Sequence, residues 1–129
     1  MSDFVPVNFL EKMLVEARAG RMPMPDFLRL FAASMIIVPS AGEVKKGWEG
    51  FQPLFFNKQG VHMLACFSAP ERNDASPETF PYFLEIMAEK FLISLKPGLG
   101  VVCNPGQSVG FEMGPQTLAE VVKGLSTNG

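Results

Sequence analysis

Gly98-Leu99-Gly100-Val101-Val102-Cys103-Asn104-Pro105-Gly106-Gln107-Ser108-Val109-Gly110-Phe111-Glu112-Met113 reads as a buried strand, a turn and a second strand. Pro105 presets φ at one turn corner, Gly106 permits positive φ at the next, and the Asn104 carbonyl can accept from the backbone beyond. After the turn, Val109, Phe111 and Met113 alternate with Ser108, Gly110 and Glu112. That period of two belongs to a strand with one buried face. Immediately upstream, Pro97-Gly98 ends a short helical stretch in which Phe91, Leu92 and Leu95 point inward. Immediately downstream, Gly114-Pro115 opens a last helix carrying Leu118, Val121, Val122 and Leu125 on one face.

Earlier in the chain, Pro53–Phe56 and Val61–Phe67 flank the polar Asn57-Lys58-Gln59-Gly60, which predicts a β-hairpin. Tyr82–Ile86 predicts another strand, reached through an irregular connection over Ser68–Pro81. At the start, Asn8 and Glu11 have capping-box spacing, and Leu10, Met13, Leu14 and Ala17 form the stripe of a helix over about 9–19. Pro23 and Pro25 interrupt it, and Pro25 opens a second helix burying Phe27, Leu30 and Phe31. Met35–Val38, closed by Pro39, predicts a central strand, and the glycine-rich Gly42–Gly50 a loop.

With no internal repeat or interior linker, this order predicts one α+β domain over residues 1–129, with a frayed tail from about 126. Hairpin connections predict a mainly antiparallel sheet of five or six strands, with helices packed on at least one face. At 129 residues, 47% hydrophobic and 19% charged, the chain can bury a core without staples. A formal charge of -2 and no Lys/Arg run argue against nucleic acid. No apolar run approaches the ~20 residues that cross a bilayer. The first residues lack a basic segment followed by an apolar core, so a cytoplasmic location is expected.

The chemistry-bearing residues are few. His62 and Cys66 share a strand face, but four strand residues span ~13 Å, too far for a nucleophile and its base. Cys103 on a neighbouring strand could approach either. A thiol-dependent enzyme or small-metabolite binder using His62 with Cys66 or Cys103 is therefore the alternative reading. Against it, free cysteines in apolar strands behave as small hydrophobes, and both are expected reduced and buried. One His and two distant Cys have no metal-ligand spacing. Gly98-Leu99-Gly100 precedes a strand instead of opening a helix, so it is a turn and not a phosphate loop. No cofactor is expected, and Asn104 has a sufficient structural role in its turn.

Ala17-Arg18-Ala19-Gly20-Arg21-Met22-Pro23, Ala65-Cys66-Phe67-Ser68-Ala69-Pro70-Glu71-Arg72 and Leu95–Gly106, in this order and spacing, resemble the SseB N-terminal domain family of bacteria. The resemblance spans most of the chain and implies a stand-alone copy of a domain that many members carry beside a second, C-terminal one. The family takes its name from enhanced serine sensitivity, some members bear a secretion-associated label, and the resemblance brings no catalytic residues. The expected function is non-enzymatic: binding a partner protein, or a second copy of the chain, through the Gly42–Phe51 and Ser68–Pro81 loops. Trp48 and Phe51 are candidate aromatic anchors, and Glu71 and Arg72 a candidate charge pair, at that interface.

Overall fold

In the computed structural model, which describes residues 4–127, the capping signal at Asn8 starts helix α1 (Phe9–Arg18), with Asn8 Oδ1 accepting from Glu11 N at 2.8 Å. Glu11 does not reach back to Asn8. Its Oε1 accepts instead from Val7 N at 3.0 Å, one residue further out. Helix α2 (Met24–Ala32) carries Pro25 in its first turn, as its fixed φ and missing N–H favour, and buries Phe27 and Phe31. The expected strand becomes β1 (Met35–Ser40), which runs through Pro39. Two residues earlier, Ile37 directs its N–H and C=O to Phe67, away from the partner strand; Pro39 faces the same edge, where its missing N–H breaks no ladder bond.

Strands β2 (Phe55–Lys58) and β3 (Val61–Cys66) form the hairpin, with its turn reduced to Gln59-Gly60. Both turn residues have positive φ, 53° and 85°, the conformation whose twist matches paired strands. Beyond lie β4 (Tyr82–Met87), α3 (Ala88–Ser94), β5 (Gly100–Cys103), β6 (Phe111–Met113) and α4 (Pro115–Thr127). The C-terminal helix thus continues through the start of the expected frayed tail, and residues 128–129 lie outside the described part. Among the described residues, no helix is long and apolar enough to cross a membrane.

The α+β class holds, but the single five- or six-stranded sheet does not form. Among the described residues there are two sheets, β1-β4 and β2-β3-β5-β6, joined by isolated bridges at Ile37–Phe67 and Ser40–Pro53. The hairpin forks at its open end, and β1 enters the fork between Pro53 and Phe67; β1 is therefore not the centre of one continuous sheet. Pairing is also not wholly antiparallel. The chain leaves β3, pairs β4 with β1, crosses through α3 and returns as β5, parallel to β3 with Cys66 opposite Cys103.

The four α-helices of the described residues all contribute to one core. Leu14, Phe27, Phe31, Phe91, Leu92 and Leu118 from the helices pack on Ile36, Leu64, Cys66, Val101, Cys103 and Phe111 from the strands. Phe111 stands edge-on to Phe27 and Phe31, with ring centroids 5.1 and 5.0 Å apart. The alternate residues of the same strands, Ile37, Met63, Ala65 and Phe67, point to the opposite face and are also buried, outside this cluster. That second face carries the site.

Candidate functional site

On the face away from the helix-side core lie Phe56 of β2 and Leu54 just before it, Met63 of β3 and Phe67 just after it, and Val102 of β5. Together they line an open groove of ≈ 570 Å³. Period-two geometry puts these residues on one side. Gly100 lets the floor close up: a Cβ there would lie 2.4 Å from Met63 Sδ and 2.8 Å from the Met113 carbonyl. Asp74 and Ala75 of the long loop, with Pro105 and Gly106 of the β5–β6 turn, form its walls. Lys58 reaches across to an ion pair with Glu112, both about half exposed. The groove is thus apolar at its base and charged at its rim. A smaller hollow of ≈ 360 Å³ lies between α2 and α4, where Leu125, expected to face the core, lines its wall.

A buried polar clasp sets the loop wall. Glu11 is fully buried, and Arg72 grips its carboxylate with Nη2 at 2.9 Å on Oε1 and Nε at 3.0 Å on Oε2. Ser68 Oγ donates to the same Oε2 at 2.6 Å. Arg72 also donates to Val5 O at 2.5 Å and lies 3.9 Å over the Phe4 ring. Asn104, buried and at φ 57°, closes the far side: its Oδ1 accepts from Ser68 N at 3.1 Å, and its Nδ2 donates to Ser68 Oγ at 2.9 Å. Gln107 Nε2 then donates to Arg72 O at 2.6 Å. One network therefore ties α1, the exit of β3 and the β5–β6 turn together.

Burial by itself would raise the Glu11 carboxyl, but the hydrogen bonds from Arg72, Ser68 and Val7 and the guanidinium charge outweigh it. The carboxyl sits below its ordinary 4.5. The same carboxylate raises the Arg72 guanidinium.

Of the residues singled out in the sequence, Glu71 is exposed on the loop, while Arg72 is joined to Glu11 and not to its neighbour. Trp48 and Phe51 are half-buried against the edge of the core, with rings edge-to-face at 5.5 Å. Trp48 adopts φ 68°, an uncommon conformation for a bulky residue. Cys66 and Cys103 are free, buried and opposite one another. His62 is exposed and stacks on Phe55 at 4.9 Å, four residues along the strand from Cys66. The structure brings the two thiols together and leaves the imidazole apart.

A hydrogen bond with Cys66, and then burial, push the Cys103 thiol well up, so it stays protonated. At neutral pH, a small electrophile is expected to leave both cysteines unmodified in folded protein and to label both in denaturant. Rapid labelling of either one in the folded state, read by intact mass, contradicts this.

Sequence reasoning missed the groove and the clasp. A signal for the groove existed: apart from His62, Val61–Phe67 is apolar at both parities, as in a strand covered on both faces. For Glu11 and Arg72, 61 residues apart, there was none.

Compared with known proteins, residues 10–120 match the family model described as SseB protein N-terminal domain. No curated protein and no solved structure matches.

Proposed function

This chain belongs to the SseB N-terminal domain family, and on that premise we propose that it works by binding a partner protein in the groove of its four-stranded sheet, not by turnover. The observation that carries the reading is an apolar trough that, among the described residues, no helix lines, in which Phe56 remains 45% exposed. Exposed apolar surface rimmed by charge is characteristic of contact surfaces. The ionisable groups lining it are Lys58, Asp74 and Glu112, and the first and last are already paired. Of the two loops singled out in the sequence, Ser68–Pro81 lines it through Asp74 and Ala75, whereas Gly42–Phe51 contributes no lining residue. Glu71 is a flanking contact in this reading and Arg72 holds the wall through Glu11, while Trp48 and Phe51, packed on the helix-side core, would meet a partner only beyond the groove.

Peptides selected from a random library against the folded protein test it. Their amide shift changes are expected at Leu54, Met63, Val102 and Gly106. Val102→Gln, which alters the floor away from the β2 edge, is expected to weaken them by about tenfold or more, equivalent to ~1.4 kcal/mol. Shifts clustered on another surface, or undiminished binding by folded Val102→Gln protein, would overturn the assignment.

A further inference from the structure

Strand β2 lies at the margin of its sheet, with β3 on one side and, among the described residues, no strand on the other. Its pairing fixes which backbone groups are free. Leu54 O accepts from Ala65 N at 2.9 Å, so the even-numbered residues Leu54, Phe56 and Lys58 turn their main-chain groups toward β3. Phe55 and Asn57 therefore turn N–H and C=O outward. β1 does not cover them, because it enters on the β3 side, at Pro53 and Phe67.

We infer that this edge pairs with the same edge of a second copy, β2 antiparallel to β2, on a twofold axis through Phe56. In that register, outward-facing Phe55 meets Asn57 of the other copy, and Asn57 meets its Phe55, so the free donors and acceptors on both edges are satisfied. The two Phe56 side chains, 45% exposed in the single chain, face each other in the closely spaced non-hydrogen-bonded pair. Neighbouring registers fail. Centring on Asn57 sets Phe55 against Gln59, which has left-handed φ in the turn, and centring on Phe55 sets Asn57 against Pro53, which has no N–H.

The usual protections of an edge are missing here. β2 contains no proline, and its one charge, Lys58, is turned across its own sheet to Glu112. By contrast, β4 carries exposed Glu85, which makes no ion pair among the described residues, and β6 is only three residues long. The partner that fits is another copy of this chain, and pairing leaves the groove floor at Met63 and Val102 free.

Sedimentation equilibrium of the full chain is expected to show a monomer–dimer equilibrium. Phe56→Lys, which sets like charges against each other on the axis, is expected to raise the dissociation constant at least tenfold while the circular dichroism spectrum is kept. The register is read by cysteine pairing. Across a non-hydrogen-bonded pair, Cα atoms lie ~4.5 Å apart, within disulfide reach. Phe56→Cys protein treated with oxidised glutathione is expected to form a covalent dimer, two thiols being oxidised as the glutathione disulfide is reduced to two thiols. Asn57→Cys, displaced from its own copy along the strand, is expected not to. A monomer at all concentrations, equal cross-linking by both variants, or a monomer whose β2 edge takes up only foreign extended peptides would each overturn the proposal. Val102→Gln is expected to leave the dimer intact, which separates this outcome from failure of the groove reading.

Discussion

Replacing Arg72 with alanine is expected to cost ~3–5 kcal/mol, because it leaves the Glu11 carboxylate buried without its counter-charge. Glu11 has no exposure, and the Arg72 side chain only 19%, so solvent cannot take the guanidinium's place. Domains of this kind have ~5–15 kcal/mol in total. Urea unfolding is the measurement, and a midpoint within error of the parent would show that the ion pair contributes nothing net. Adding Glu11→Gln to Arg72→Ala is expected to recover part of the loss, since a neutral amide of similar shape keeps partners in Ser68 and Val7.

Acid is expected to bring the stabilities of the two proteins closer. In the parent, the folded Glu11 carboxyl lies below 4.5, so its stabilising contribution is complete above that value and is lost as pH falls through the folded-state value. In Arg72→Ala protein the lowering by the guanidinium is gone, and burial, the largest single influence on this carboxyl, is expected to lift it above its unfolded value. Lowering the pH toward 4.5 then protonates the buried group and reduces the penalty. Measured between neutrality and pH 4.5, the stability gap is expected to narrow. A constant gap would mean that Glu11 is not the group left unpaired.

Phe111→Ala is expected to cost ~3–5 kcal/mol, by the transfer and cavity terms together. The ring stands edge-on against both Phe27 and Phe31 and joins β6 to α2, and both neighbours are completely buried. At this chain length the melting temperature should fall by roughly 11–18 °C. Ile93→Ala on α3 makes the comparison, because Ile93 is 49% exposed and its loss should stay below ~1 kcal/mol. Equal losses at the two positions would contradict the assigned core.

Elements encoded within a few residues were legible from the chain alone. The Asn8 cap, the two-proline break before α2, the Gln59-Gly60 hairpin and the Asn104–Gly106 turn each rest on local backbone preferences, so short windows specify them. The inward-facing residues followed for the same reason, since periodicity alone assigns Phe27, Phe31, Phe111 and Leu118 to the core. The polar residues were harder. Glu11 looked like half of a capping box and Arg72 like the partner of Glu71, because adjacency in sequence is the contact that a reader can see.

What the sequence determined by itself was therefore the set of elements, the α+β class and the buried condition of both thiols. Tertiary structure alone decided the division into two sheets, the parallel return of β5 beside β3, the grip of Arg72 on Glu11 and the trough beneath the four-stranded sheet. The physical reason is range. A turn or a helix stripe is settled by torsional preference and spacing along a few residues, whereas these features form between segments tens of residues apart, and only the closing of the core brings those segments together.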